Sequence, residues 1–283
     1  MIRKLVRCDK AFTLELEGRS RSMYGTALSE PNLHIQFECG LKLRFAKSSK
    51  YLFITHGHLD HASDFPFAVS YRAKKTGQLV ERTFAPAEIV PRLRDHVACS
   101  MALNDNEDRE EEGECVHSIA GLSPGESFRL MAGGKTWQVD VLGCDHRVPC
   151  LAYAFSQVRT GLKAEYRGRK DIGALRQSGV EVTEERVVPY FVFCGDTSPA
   201  FLEEHGDALR RFKAVVIECT HYREERLRCT VERKHLHWHH VSAFARSAPQ
   251  TQFLLIHHSQ EYTPEEVRSY VEGGGLANVQ AFV

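Results

Sequence analysis

Short apolar runs recur along the chain and stop abruptly at polar residues. YLFIT (51–55), VVPYFVFCGDT (187–197), KAVVIECTH (213–221) and QFLLIHHS (252–259) have the length and continuity of strands buried on both faces. PNLHIQFECGLKLRF (31–45) alternates around a Cys-Gly turn, and 116–157 reads as strands separated by turn signals at SPGE and AGGK. Helices are predicted over 62–77 with a break near Pro66, in the second half of 81–98, and over 201–212, 239–248 and 263–275. The last of these opens with Thr263 as N-cap, Pro264 at the first helical position and two early glutamates, and it ends in glycines. Apolar strands that end in polar residues and lead into helices predict an α/β layered fold, in one domain spanning 1–283.

Composition narrows the class. The chain has 283 residues, 42% hydrophobic and 26% charged, which excludes disorder, collagen and coiled coil. Its 37 basic and 37 acidic side chains leave no net charge, so bulk electrostatic capture of nucleic acid is disfavoured. A local basic patch remains open: residues 159–186 hold Arg159, Lys163, Arg167, Arg169, Lys170, Arg176 and Arg186. The acidic run 104–114 reads as a solvated loop or helix end. No run approaches the roughly 18–20 apolar residues of a membrane span. Nine scattered cysteines without a C-x-x-C pair suit a reducing compartment, so a cytoplasmic protein is expected.

Chemistry concentrates in HGHLDH, directly after the 51–55 strand. His56, His58, Asp60 and His61 fall within six residues, and Gly57 is expected to give the backbone room to turn their side chains to one point. Imidazole nitrogen and carboxylate oxygen suit Zn²⁺ and similar divalent ions. Other strand ends carry the same residue types: CDHRVPCLAYAF supplies His146, FCGDTSP supplies Asp196 and LLIHHSQEY supplies His257.

This His-x-His-x-Asp-His pattern, with the later His, Asp and His in order, resembles the metallo-β-lactamase fold superfamily from about residue 31 to 262. Within it the chain looks most like ribonuclease Z. Pro149 and Tyr153 follow His146, Gly-Asp-Thr stands at 195–197, IECT at 217–220 resembles Glu-Ala-Thr, and KHLHW (234–238) falls where that family starts a helix with His-x-Thr. The resemblance implies a four-layer αββα sandwich and two divalent metal ions, zinc foremost, with manganese, iron or cobalt also compatible. It implies one ion on His56, His58 and His146, a second on Asp60, His61 and His257, and Asp196 bridging them. Asp60 would also orient the attacking water, and His235, paired with Glu218, would protonate the leaving group. The implied reaction is metal-dependent phosphodiester hydrolysis of RNA, such as a tRNA precursor, or of a smaller nucleotide diester, by a homodimer. An ester, thioester or lactone hydrolase on the same fold is the alternative enzyme class, and a non-enzymatic binding module is the third reading.

Several positions depart from the family pattern. The Gly-rich stretch near the N-terminus is lacking, Glu261 stands in place of an Arg, His237 in place of a Thr and Ile217 in place of a His. The 159–186 excursion is short for a tRNA-gripping arm. His237 is a lesser catalytic candidate, expected to line the pocket with Trp238, and a helix starting near 235 would put His235 and His239 on one face. His34, His96, His117 and His205 lack a ligand-like context, and His221 is read as structural, with cleft lining as the alternative. Strand alternation turns only one of His257 and His258 toward the metals, and His257 is favoured. Cys144 and Cys150 read as structural.

Overall fold

The structure is a computed structural model and describes residues 2–10, 12–42, 49–71, 82–106 and 118–283. The first sheet follows chain order: β1 (Ile2–Arg7), β2 (Thr13–Arg21), β3 (Gly25–Glu30), β4 (Ile35–Phe37), β5 (Tyr51–Phe53), β6 (Arg82–Pro86) and β7 (Ile119–Leu122). The second comprises β8 (Ser127–Ala132), β9 (Lys135–Gly143), β10 (Leu151–Leu162), β11 (Thr183–Cys194), β12 (Ala214–Glu218), β13 (Gln252–Ile256) and β14 (Val279–Ala281), again in chain order. Each sheet begins as an antiparallel meander and continues as parallel strands.

An aromatic core glues the sheets face to face. Phe37 stacks on Phe193 with centroids 4.2 Å apart, Phe155 on Phe191 at 4.5 Å and Phe53 on Phe84 at 4.7 Å. Helices cover the outer faces. On the first sheet lie α1 (Leu59–Ala62) and α2 (Val90–Asp105), whose Ala62, Leu93 and Val97 pack on Leu52, Ile54 and Ala85. A basic excursion carries α3 (Ile172–Gln177). On the second sheet lie α4 (Pro199–Leu209), α6 (Trp238–Ser247) and α7 (Pro264–Gly273), with α5 (Leu227–Glu232) in the connection before α6. This is the expected αββα sandwich. The capping box of α7 is present: Thr263 accepts from the Glu266 N–H, and the Glu266 carboxylate accepts from the Thr263 N–H.

Four local expectations change. In 31–45 only Ile35–Phe37 pairs as strand, because Glu38 turns the chain at φ +60°; residues 43–45 lie outside the described residues. In 62–77 the chain makes a single π-helical stretch at Phe67–Tyr71, and 72–77 lie outside the described residues. The second helix runs on to Asp105 and closes at left-handed Asn106, and 107–114 lie outside the described residues. Much of 159–186 is ribbon rather than excursion, since β10 and β11 pair as far as Leu162↔Thr183.

Topology gathers the chemistry at one end. Ala152 pairs with Cys194, so the start of β10 and the finish of antiparallel β11 lie side by side. β11, β12 and β13 are parallel, so their carboxyl ends lie along that same rim. The β5 end meets it through Leu151, whose N–H donates to the Thr55 carbonyl.

Candidate active site

The loops after β5, before β10, and after β11, β12 and β13 converge there. One group is His56, His58, His146 and Asp196; a second is Asp60, His61 and His257. In each, one ligand atom per residue lies within 4.8 Å of the others. Asp196 Oδ2 stands between the groups, 3.8 Å from His56 Nε2, 3.6 Å from His61 Nε2 and 3.3 Å from His257 Nε2. Every ligand candidate picked from the sequence is therefore in this cluster.

Hydrogen bonds on the far sides of the rings assign the tautomers. The Thr55 hydroxyl donates to Glu38 Oε1, so its oxygen accepts from His56 Nδ1–H at 2.9 Å. His146 Nδ1–H donates to the Lys234 carbonyl at 3.0 Å. The Thr220 hydroxyl donates to Glu218 Oε2, so its oxygen accepts from His257 Nδ1–H at 3.2 Å. The His56 and His146 rings thus turn an unprotonated Nε2 inward, and the His257 ring is fixed with Nε2 inward. The lone pairs on His56 and His146 face His58 Nδ1 at 3.1 and 3.3 Å, and that atom can donate only one proton. His257 Nε2 faces the carboxylate oxygens of Asp60 and Asp196, each at 3.3 Å. Buried His61 Nε2 has no hydrogen-bond partner among the described residues. Imidazole nitrogens and carboxylates aimed at common points, with more acceptors than protons around His58 and no partner for His61, are the donor set of divalent cations, so the residues fit the implied metals.

Electrostatics agree. Burial, then the neighbouring imidazoles, push His56 well below its ordinary value, and burial with His146 lowers His58, so both are neutral ligands near pH 7. Burial favours neutral Asp196, but His257, His61 and His56 overcome it and hold the carboxylate far below its usual range. Burial lowers His61, yet Asp196 and Glu38 carry it up to about 9. The cluster therefore demands positive charge.

His235 lies beside this centre, its ring 5.2 Å from that of His146. Its Nδ1–H donates to Glu218 Oε1 at 2.8 Å. Buried Glu218 is held in turn by the Thr197 N–H at 2.9 Å and by the Thr220 hydroxyl. Burial lowers His235, but the Glu218 charge and hydrogen bond raise it to about 9. His235 belongs to the turn after α5 and does not share a helix face with His239, because α6 starts only at Trp238.

Two readings from the sequence are corrected, and one departure from the family pattern is explained. His237 does not line the pocket: it is buried, its Nδ1 caps α6 by accepting from the His239 N–H at 3.1 Å, and Nε2–H donates to the Arg223 carbonyl at 2.9 Å. Gly57 is not the needed glycine, since a Cβ there would sit 3.7 Å from Ile89. Gly40 and Gly195 are tight, with a Cβ falling 1.8 Å from the Asp60 carbonyl oxygen at the first, and 2.5 Å from Cys150 Sγ and 2.7 Å from Thr55 Cβ at the second. Glu261 brings no bare anion to the cleft, because Arg226 and His221 both pair with it. His258 turns away and bonds the Tyr222 hydroxyl at 2.8 Å, while His257 reaches the centre through a left-handed backbone at φ +60°. His96 and His205 hold backbone carbonyls, and His117 lies outside the described residues.

Sequence reasoning missed Glu38. Fully buried, it orients Thr55, and through it His56, and stands 3.4 Å from His61 Nδ1, so one carboxylate supports both groups. A charged residue at the end of an apolar strand was the available signal.

The Beta-lactamase superfamily domain model matches residues 37–258, so the chain belongs to that superfamily of metal-dependent hydrolases. The particular branch follows from its relatives. The tRNase Z TRZ1 of Arabidopsis thaliana is 30% identical, with 96% of this chain and 99% of that protein covered, which makes this chain a member of the tRNase Z family and a ribonuclease Z-like phosphodiesterase. The chloroplastic tRNase Z TRZ2 of the same plant is 28% identical over 90% of this chain and 70% of that protein. The fold matches the crystal structure of human tRNase Z, short form, with a TM-score of 0.56 at 15% identity, covering 94% of this chain and 95% of that one.

Proposed function

We propose that the chain removes 3′ extensions from tRNA precursors with a dinuclear zinc centre. His56, His58 and His146 would hold one ion, Asp60, His61 and His257 the other, and Asp196, between the two groups, would serve both. The observation that carries the reading is the set of fixed rings, which turns the unprotonated Nε2 atoms of His56 and His146, and Nε2 of His257, toward the Asp196 carboxylate. When bound, the ions supply Lewis acidity at the phosphoryl oxygens and a water that ionises near neutral pH. Asp60 would orient the attacking water, its Oδ2 restrained by the Met23 N–H at 2.8 Å. Glu218 fixes the His235 ring and stabilises its cation, which leaves Nε2–H to protonate the departing ribose alkoxide.

The proposal includes a single domain, a homodimer, as the family resemblance implies, and a reducing compartment, the cytoplasm, which the free cysteines support. Among the described residues no helix is long and apolar enough to cross a membrane. The segment 163–182, beyond the β10–β11 ribbon, is the candidate tRNA contact. Arg159 and Arg186 are spent on Gln157, Tyr190 and Glu184, whereas Lys163, Arg167, Lys170 and Arg176 have no ion-pair partner among the described residues.

The test is turnover by metal-loaded protein of a 3′-extended tRNA precursor, bis-(p-nitrophenyl) phosphate, and 2′,3′- and 3′,5′-cyclic nucleotides, beside an aryl ester. Cleavage of the precursor next to the discriminator base is expected. An intact precursor with cleaved small diesters would replace tRNA with a smaller substrate, and turnover of esters alone would overturn the phosphodiesterase roles given to these residues.

A further inference from the structure

We propose that Lys234 is a positioning residue that binds the His146 loop and the His235 turn into one rigid unit. The inference rests on the reading of His146 as a metal ligand and His235 as proton donor. Lys234 follows α5 with φ +62°, a left-handed backbone that residues with a Cβ seldom adopt and that glycine takes freely. In that conformation both ends of the residue grip the same loop. Its carbonyl accepts from His146 Nδ1–H at 3.0 Å. Its Nζ lies 2.8 Å from each carboxylate oxygen of Asp145, the residue before His146.

Asp145 is itself a junction. Its N–H donates to Thr197 Oγ1 at 3.0 Å, its carbonyl accepts from the Ser198 N–H at 3.1 Å, and its carboxylate accepts from the Ser198 hydroxyl. Thr197 and Ser198 directly follow Asp196. One ion pair therefore links the segments of His146, Asp196 and His235. The carbonyl that fixes the His146 tautomer can aim correctly only while residue 234 stays left-handed, and the clasp on Asp145 keeps it there. The Lys234 side chain is 44% exposed, so the pair adds little to global stability, and its deletion leaves a folded protein. With both carboxylate oxygens on its ammonium, Lys234 is occupied by the protein rather than offered to a phosphate.

The experiment compares Lys234→Met, Lys234→Arg, Asp145→Asn and the Lys234→Met/Asp145→Asn double variant. Zn²⁺ affinity is read by competition with a chromophoric chelator, and kcat and KM by cleavage of a 3′-extended RNA at saturating metal. Loss of an orienting contact behind a metal ligand weakens metal binding about 10–100-fold. Lys234→Met is expected to weaken Zn²⁺ binding about tenfold and to lower kcat with KM unchanged, with Arg restoring both. Asp145→Asn should match it, and the double variant should be no worse than either. Wild-type affinity and kcat in Lys234→Met, fully additive losses, or a raised KM with unchanged metal affinity would each overturn the proposal, the last by making Lys234 a substrate contact. Lys234→Gly, which accepts φ +62° without strain, is expected to recover only part of the loss; full recovery would show that the clasp is dispensable. Wild-type protein that binds no Zn²⁺ would instead sink the metal reading beneath it.

Discussion

Glu218→Gln isolates the charge that tunes the proton donor. The amide keeps the shape, and its oxygen can still accept from the Thr197 N–H and from His235 Nδ1–H; its NH2 replaces the oxygen that accepts from the Thr220 hydroxyl, a change that would affect every substrate alike. In the native protein the Glu218 charge and hydrogen bond outweigh burial and raise His235 to about 9. Without them, burial lowers it against the smaller Asp196 charge, and the ordinary 6.5 serves as the reference. Each tenfold in a proton's dissociation constant is about 1.4 kcal/mol, so the net rise from 6.5 to about 9 amounts to about 3 kcal/mol. His235 donates only while protonated, so activity that needs it is present below its pKa and lost as pH rises through it. At pH 8 a pKa of 9 leaves most of the rings charged, whereas 6.5 leaves about 3%, a loss of about thirtyfold. Metal cations pull His235 down in both proteins alike and leave the difference. The assay is kcat against pH for an RNA substrate and for bis-(p-nitrophenyl) phosphate, whose nitrophenolate departs without a proton. The alkaline limb should move to lower pH with RNA and stay put with the aryl ester. Equal losses on both substrates, or an unmoved limb with RNA, would refute the acid role.

Asp196→Ala should lose metal and turnover together, while His235→Ala keeps its metal and loses RNA cleavage; elemental analysis beside kinetics checks both, and metal lost from His235→Ala would remove it as donor. Buried Glu30 gives a stability test away from the site. Burial raises its carboxyl to about 7 despite the Leu33 N–H bond, so the neutral form favours folding: that stability is full below about 4.5 and gone above about 7. Glu30→Gln should gain about 3 kcal/mol on the native protein between pH 4.5 and 7.5 in urea melts, and a pH-independent difference would show that Glu30 does not titrate as argued.

The layers and the ligand set were legible because they leave local marks. A strand buried on both faces is an unbroken apolar run, and HGHLDH packs its donors into one turn. Support for the ligands leaves a weaker mark, or none. Glu38 acts on Thr55 and His61 across paired strands, and Lys234 acts through a carbonyl, which every residue has. Glycine misled for a related reason: whether a Cβ fits at 57 or 195 depends on Ile89, Cys150 and Thr55, which arrive from elsewhere. His237 looked catalytic by its company, yet an imidazole nitrogen caps a helix as a threonine oxygen does.

The donor groups draw on both sheets: His56, His58, Asp60 and His61 follow a strand of the first, while His146, Asp196 and His257 border strands of the second. Neither half holds a complete set. An ion bound there is therefore a cross-brace between two halves that otherwise meet through an aromatic seam. Uptake of metal and docking of the sheets become one equilibrium, and the bound form gains stability with the logarithm of free metal over its dissociation constant. A chelator would then loosen the seam, and a packing defect such as Phe193→Ala would register as weaker metal affinity at a distance from every ligand.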